Sequence, residues 1–242
     1  MKWVARSLKK SATSVDAGVE WKSGANRAAL TGFISRFRNY LYLDRTGSTR
    51  DSEGNGAGGV GVTDCGGANA GSSVESGCAS RIQPEFSYRQ VSARFSGLEA
   101  NGNVRLLDFG RTVDLELRGD LLRADNTSIG QPLPRIAPAR VGATLVLAEG
   151  PWQGRVGFNT TSRQTRVPVG QQATNGYTLW NAAVTYRMKT STPSTGQVIL
   201  YTRLDNVGNQ LAYSATSILT QTVPGRSPLP GRSLKVGLQA SF

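Results

Sequence analysis

Hydrophobic and polar residues alternate along most of the chain, in segments of eight or more residues. The pattern is clear in SVDAGVEW (14–21), VDLELRGDL (113–121), WNAAVTYRM (180–188) and SLKVGLQASF (233–242), where nearly every second residue is apolar. Successive side chains of an extended strand point to opposite faces of a sheet. The period-two pattern therefore predicts strands with one apolar face and one polar face.

Nine strands are predicted, and no segment shows the 3.6-residue period of a helix. The strands span about residues 14–21, 27–43, 86–106, 112–124, 139–148, 152–164, 177–188, 197–206 and 233–242. The phase of 27–43 is ambiguous, because Leu30 and Ile34 fall on the opposite face from Phe33 and Phe37.

The connections between these strands alternate between long and short. The long ones are 44–85, 125–138, 165–176 and 207–232, and the short ones are 22–26, 108–111, 149–151 and 189–196. Bacterial outer-membrane barrels have short periplasmic turns and long extracellular loops. The predicted fold is therefore all-β, a portion of an antiparallel up-and-down transmembrane β-barrel with about nine strands.

Aromatic residues near the strand ends agree with this topology. Those beside short turns or at the C-terminus are Trp21, Phe109, Trp152, Tyr186 and Phe242, and those near long loops are Tyr40, Tyr42, Phe86, Tyr88 and Tyr177. Two aromatic girdles, one at each membrane interface, are expected in such a barrel. Aromatic residues also favour strand ends in soluble β-proteins, which is the alternative explanation.

Composition narrows the possible functions. The chain has 242 residues, a formal charge of +12 and no histidine. The arginines are scattered and form no recognisable nucleic-acid motif, so nucleic acid is not an expected partner. Without histidine, a His-dependent serine triad is excluded, and neither an enzyme nor a cofactor site is predicted. The start, MKWVARSLKK, lacks the apolar region of a signal peptide.

The C-terminal segment resembles the closing strand of outer-membrane barrels, which the barrel-assembly machinery recognises. The matching positions are Lys235, Gly237, Ala240 and Phe242, of which Ala240 is a weak apolar member. This resemblance implies that the last strand is also an assembly signal.

Several other segments resemble the C-terminal part of TonB-dependent outer-membrane receptors. They are SLKKSATSVDAGVEWKSG, ARFSGLEANGNVRL, LPRIAPARVGATLVL, GYTLWNAAVTYRM and LYTRLDNVGNQLAY, followed by the loop Pro224, Gly225 and Arg226. The resemblance implies TonB-energised uptake of a scarce nutrient, such as a ferric siderophore or another metal chelate. It also implies a bacterial outer-membrane location, with membrane lipid and lipopolysaccharide as neighbours.

The chain departs from the family in its length. The full family barrel has about 22 strands, an N-terminal plug and a box that contacts TonB, and nothing before residue 14 resembles a plug or a box. Single-chain bacterial barrels have an even number of strands, whereas nine are predicted here. Residues 1–242 are therefore expected to be the C-terminal portion of a longer receptor, without its plug and signal peptide, although a tenth strand within 1–13 is an alternative.

Two cysteines provide the one covalent site that the sequence predicts. Cys65 and Cys78 enclose a small glycine- and serine-rich segment in the longest loop, and an envelope location permits a disulfide between them. A metal site would need further ligands, and histidine is absent, so none is predicted. The match of GNGAGG (54–59) to a dinucleotide-binding loop lacks the flanking strand and helix, so it is treated as coincidence.

Charged residues on the predicted inner face are candidates for contacts with a plug or a substrate path. They are Glu99, Arg105, Asp114, Glu116, Arg118, Asp120, Arg187, Arg203 and Asp205. The favoured interpretation of each individual residue is that it pairs across strands or is solvated. Arg163 and Arg166, in a long loop, could help to bind an anionic ligand.

Three functions are compatible with an outer-membrane barrel. Energised uptake is favoured by the resemblance. A passive porin or small structural barrel is the alternative, and the odd strand count argues against it. A hydrolytic barrel enzyme is disfavoured by the absence of histidine.

Overall fold

The computed structural model describes residues 11–50, 83–188, 197–222 and 225–240. These residues form ten strands and one short helix. In chain order the elements are β1 (Ser11–Ser23), β2 (Asn26–Arg50), β3 (Gln83–Phe109), β4 (Arg111–Asn126), β5 (Gln131–Pro132), β6 (Arg140–Glu149), β7 (Trp152–Thr161), β8 (Tyr177–Met188), β9 (Val198–Asp205), α1 (Ile218–Thr222) and β10 (Ser233–Ala240).

All ten strands belong to one antiparallel sheet in which sequence neighbours pair. The order is β1-β2-β3-β4-β6-β7-β8-β9-β10, and the two-residue β5 pairs with the far end of β4. Within the described residues, β1 and β10 lie at the two ends of this order and do not pair with each other. None of the described helical segments is long and apolar enough to cross a membrane.

The nine predicted strands are confirmed, with some changes in their extent. β2 and β3 are longer than predicted, since they continue to Arg50 and begin at Gln83 within the segment expected to be a loop. The expectation that no helix would form is wrong, because α1 occupies one turn in the last long loop. The predicted short connection 189–196 lies outside the described residues.

The strand register brings the apolar residues of all strands onto one face, called here the apolar face. One row of directly opposed residues is Leu117, Ala143, Phe158 and Trp180, and the neighbouring row is Leu115, Leu145, Val156, Ala182, Leu204 and Leu234. Many of these side chains are open to the surroundings; Val156, for example, is 50% exposed. The opposite face, called here the polar face, carries most of the charged residues.

The register also resolves the phase of β2. Leu30 and Ile34 lie on the apolar face, opposite Val19 and Val15 of β1. Phe33 lies on the polar face, where its ring covers Gly97 so closely that a Cβ there would be 2.6 Å from the ring. A bulge then shifts the phase, because Phe37 pairs with Ala93 but Tyr40 pairs with Val91.

This bulge turns two tyrosines of the predicted outer girdle inward. Asn39 adopts a left-handed conformation with φ of 59° within the bulge, and Tyr40 and Tyr42 then project on the polar side. Tyr42 is buried with Ala93, Ala124 and Leu133, whereas the Tyr40 ring packs 5.1 Å from that of Phe95. The girdle assignment of Tyr40 and Tyr42 is therefore wrong, because one extra residue reverses the alternation.

The aromatic residues expected beside the short turns do lie on the apolar face. Trp21 and Trp152 are about half exposed and Phe109 is 87% exposed. The Trp152 and Tyr186 rings are 4.5 Å apart. The end of the sheet with these residues is called here the turn end, and the end with the long connections is called the loop end.

Candidate functional site

The polar face surrounds a hollow of about 550 Å³ that spans the middle of the sheet. Its lining includes arginines from four strands, Arg27, Arg118, Arg155 and Arg203, together with Glu116 and several asparagines. Because residues from β2 through β9 border a single hollow, this face is concave. A concave polar wall backed by an apolar face is what a pathway through a membrane requires.

Most of the predicted inner-face charges form ion pairs. Arg105 binds Asp114 at 2.5 Å and Asp108 at 2.8 Å, Arg140 binds Asp120 at 3.0 Å and Arg203 binds Asp205 at 2.7 Å. These pairs support the interpretation that the charges satisfy one another across or along strands. Within the part of the chain that the structure describes, Glu99 and Arg118 have no ion pair.

One ion pair bridges two strands that are not neighbours. Glu116 of β4 accepts a hydrogen bond from Arg155 of β7 at 2.5 Å, across the intervening β6. The small residues beneath this bridge allow it, since Glu116 is opposite Thr144, which in turn is opposite Gly157. A Cβ at Gly157 would lie 2.5 Å from the Thr144 hydroxyl. The absence of a side chain at Gly157 therefore leaves room for the Glu116–Arg155 pair above it.

The loop end carries a second, smaller hollow of about 300 Å³ between two long connections. Its lining is uncharged and includes Gln172, Tyr177, Tyr213 and Gln221. The amide of Gln221 ties the two connections together, because it donates to the Gln172 carbonyl at 2.8 Å and accepts from the Gln172 backbone N–H at 3.0 Å.

Buried Asn206 anchors the connection that follows β9. It adopts a left-handed conformation with φ of 48° and is 3% exposed. Its side-chain amide donates to the carbonyls of Gln210 and Pro230 at 3.0 and 3.1 Å, while its oxygen accepts from the Gln210 N–H at 2.8 Å. One side chain thus joins the start and the end of a loop of more than twenty residues.

Arg166, a predicted ligand-binding candidate, instead binds the protein. Its guanidinium donates to the Asp125 carboxylate at the loop end of β4. Burial raises the pKa of Asp125, but the hydrogen bonds and charges of Arg166 and Arg123 outweigh burial, so this pKa lies below its ordinary value of 3.8. Arg163 is exposed, and the described residues offer it no ion pair.

Tyr42, at the same end, is perturbed in the other direction. Burial, and then the charge of Asp44, raise the pKa of its phenol above 10.0. Its hydroxyl accepts a long hydrogen bond of 3.5 Å from the buried side-chain amide of Asn126. Tyr42 also packs in a buried cluster with Leu133, which belongs to the connection between β4 and β6.

The predicted assembly-signal residues lie on the terminal strand β10. Lys235 is 3.5 Å from the Asp205 carboxylate, and Ala240 is opposite Val198. Gly237 is opposite Tyr201, whose ring would be 2.4 Å from a Cβ at that position. The roles of Lys235, Gly237, Ala240 and Phe242 in assembly stay predictions, and Phe242 lies outside the described residues.

Other predicted sites fall on segments that the structure leaves undescribed. Cys65 and Cys78 lie outside the described residues, so their disulfide stays a prediction. The GNGAGG segment, whose match was treated as coincidence, lies outside them as well. Among the described residues, no group of three acidic or sulfur ligands could hold a metal ion.

Two residues that organise the site, Asn206 and Tyr201, were not predicted from the sequence. Asn206 stands in the segment LYTRLDNVGNQLAY, where its neighbour Gly208 signals only a turn. Tyr201 covers Gly237 from the adjacent strand, a contact that only the β9–β10 register reveals. The Asp205-Asn206 pair at the end of a predicted strand is a signal that could have identified Asn206.

Comparison with known proteins identifies the family. The family model described as TonB dependent receptor-like, beta-barrel, matches residues 6–207. The chain belongs to this family of TonB-dependent receptor β-barrels. A comparison with curated protein sequences found no match.

Two solved structures of metal transporters share the fold. The copper transporter OprC aligns over 96% of this chain with a TM-score of 0.67 and 17% identity. The FrpB iron transporter from Neisseria meningitidis (F3-3 variant) aligns over 96% with a TM-score of 0.57 and 14% identity. The chain spans 31% and 30% of their lengths. The family and these neighbours are receptors and transporters, not enzymes.

Proposed function

We propose that the chain is the C-terminal portion of an outer-membrane receptor that takes up a scarce nutrient with energy supplied through TonB. The observation that carries this proposal is the register, which places one apolar face and one concave polar face on nine consecutive strands. Membership of the TonB-dependent receptor barrel family supports it. The plug that would contact TonB belongs, in this proposal, to the rest of the receptor.

A metal chelate, such as a ferric siderophore, is the substrate class that we propose. Support comes from the two structural neighbours, whose names describe copper and iron transport. The arginines around the hollow on the polar face would favour an anionic chelate over a free cation, because their charge repels bare metal ions. The uncharged hollow at the loop end would make the first contact with the organic part of the chelate.

The remaining partners follow from an outer-membrane location. Apolar side chains such as Val15, Val236 and Leu238, each more than 60% exposed, would contact membrane lipid and lipopolysaccharide. The barrel-assembly machinery would recognise β10 through Lys235, Gly237, Ala240 and Phe242.

Uptake assays in the source bacterium test the proposal. The gene that carries this chain is deleted and restored, and radiolabelled ferric siderophores and copper chelates are supplied under metal limitation. We expect uptake of one chelate to require both the receptor gene and TonB. Uptake that persists without TonB would exclude the energised mechanism, and ion conductance of the purified protein in planar bilayers would then favour a passive porin.

A further inference from the structure

A patch of arginines on the apolar face is the feature that the proposed function does not use. The patch consists of Arg36, Arg38, Arg94 and Arg123, on the adjacent strands β2, β3 and β4, and is called here the arginine patch. Arg36 and Arg94 are directly opposed in the register. All four residues are exposed. They lie on the same side of the sheet as Ile34, since strand residues two positions apart share a face.

The arginine patch has an excess of positive charge. In the part of the chain that the structure describes, Arg36, Arg38 and Arg94 have no ion pair. Asp125 is opposite Arg94, but its carboxylate is bound by Arg166 and Arg123. Like charges that face each other across strands are destabilising. The arrangement therefore calls for an external anion.

The position of the patch relates it to a membrane interface. Going from the turn end toward the loop end on β2, the apolar-face residues are Ala28, Leu30, Gly32 and Ile34, and Arg36 follows them. On β4, Arg123 follows Leu117, Gly119 and Leu121 in the same way. The apolar band thus ends where the patch begins, which in an outer-membrane barrel is the level of the headgroups of the outer leaflet.

An apolar groove lies on the same face, deeper in the band. It has a volume of about 650 Å³. Small residues, including Ala28, Gly102 and Gly119, form its floor. Larger apolar residues, including Trp21, Leu30 and Phe158, form its sides. Leu30 precedes Arg36 by about six residues, which for a strand tilted by about 40° is about 15 Å of depth. That depth is about half of a hydrocarbon core, so the acyl chains of a lipid bound at the patch would reach the groove.

We propose that the arginine patch and the apolar groove together bind one phosphorylated lipid of the outer leaflet. Arginine forms paired hydrogen bonds to phosphate oxygens, which suits Arg36 and Arg94 to a phosphate monoester of the headgroup. The lipid's acyl chains extend toward the turn end and fill the groove. This inference rests on the proposed membrane location and goes beyond the proposed uptake function, since the site is on the other face of the wall from the pathway.

Lipid binding to the complete receptor, purified in detergent, tests the inference. The probes are bisphosphorylated lipid A, dephosphorylated lipid A and inorganic phosphate, and retention is measured by native mass spectrometry. At about fivefold in affinity per arginine, the double variant Arg36→Gln/Arg94→Gln should bind bisphosphorylated lipid A about twenty-fivefold more weakly. Arg36→Lys/Arg94→Lys keeps the charge but loses the paired hydrogen bonds, so its affinity should lie between those of wild type and the glutamine variant. Arg27→Gln/Arg203→Gln, on the polar face and outside the lining of the groove, should bind as wild type.

A groove variant tests the second half of the site. A Cβ at Gly119 would meet its nearest atoms at 3.6 and 3.8 Å, so Gly119→Leu fills the groove without a backbone clash. It should weaken retention of lipid A but leave the arginine patch intact.

Several results would overturn the inference. It would be refuted if dephosphorylated lipid A bound equally well, or if inorganic phosphate displaced lipid A at similar concentrations. Wild-type affinity of Arg36→Gln/Arg94→Gln would refute it too. An equal loss in the polar-face variant would show non-specific attraction. A receptor that sits in the outer membrane and takes up its substrate normally, but retains no lipid A, would refute this inference alone. A receptor absent from the outer membrane would refute the proposed function as well.

Discussion

Arginine substitutions on the two sides of one strand test the assignment of the apolar and polar faces directly. Leu145 and Thr144 are consecutive residues of the central strand β6 and lie on the apolar and polar faces. Leu145 precedes Glu149, at the turn end of β6, by about four residues. This separation is about 10 Å of depth for a tilted strand, close to the middle of an apolar band about 25 Å tall.

The two substitutions should differ strongly. Leu145→Arg puts a guanidinium among lipid tails and should destabilise the folded barrel by about 2–4 kcal/mol. Thr144 borders the hollow of the polar face, so the side chain of Thr144→Arg can extend into water beside Glu116. We expect this variant to lose about 1 kcal/mol or less, because a lumen position tolerates charge and the exposed Glu116–Arg155 pair that it would displace contributes little.

The assay is equilibrium unfolding of the complete receptor in lipid vesicles, with urea as denaturant. The folded and unfolded forms are separated by their heat-modifiable migration in gels. Both variants add the same residue at nearly the same depth, so the difference between them isolates the face. Equal destabilisation of the two variants, or a greater loss in Thr144→Arg, would refute the assignment of faces.

Three further predictions concern close contacts elsewhere in the described chain. Gly237→Val should destabilise the folded protein by about 1–3 kcal/mol in the same urea titration, because its Cβ would collide with the Tyr201 ring; Tyr201→Ala should restore part of the loss. Asn206→Ala should cost about 1–3 kcal/mol, since two carbonyls lose their donor, and limited proteolysis should then cut the following loop faster. The Asp125–Arg166 contact should be complete above pH 3.8 and weaken as the pH falls through the lower folded-state pKa of Asp125. Proteolysis of the loop that carries Arg166 should therefore accelerate in acid, and Asp125→Asn should show fast cleavage at every pH.

The sequence pattern is sufficient to predict the strands and the faces of most of them. Alternation places Leu115 and Glu116 on opposite faces, and the register agrees. The alternation does not predict the bulge at Asn39, because a bulge depends on backbone conformation and does not alter the hydrophobic pattern of the sequence. It also misses α1, since Ile218–Thr222 is only five residues long and too short for a helical period to appear.

The inner-face ion pairs are only partly predictable. Arg105 and Asp114 lie on consecutive strands joined by a short turn, so their pairing follows from hairpin geometry. The Glu116–Arg155 bridge does not, because it depends on curvature that brings β4 and β7 together over small residues. The sequence named these charges as candidates for binding but favoured pairing or solvation, and the structure shows that many of them are paired with a neighbour.

The bulge in β2 has a consequence for how such a receptor can diversify. One additional residue at Arg38–Asn39 reverses the face that each later residue of β2 occupies. The segment of β2 beyond the bulge therefore alternates independently of the segment before it. Insertions or deletions in the distal segment can be absorbed at this joint. In the receptor that we propose, the rim at the loop end can therefore change in length while the lipid-contacting portion stays in phase.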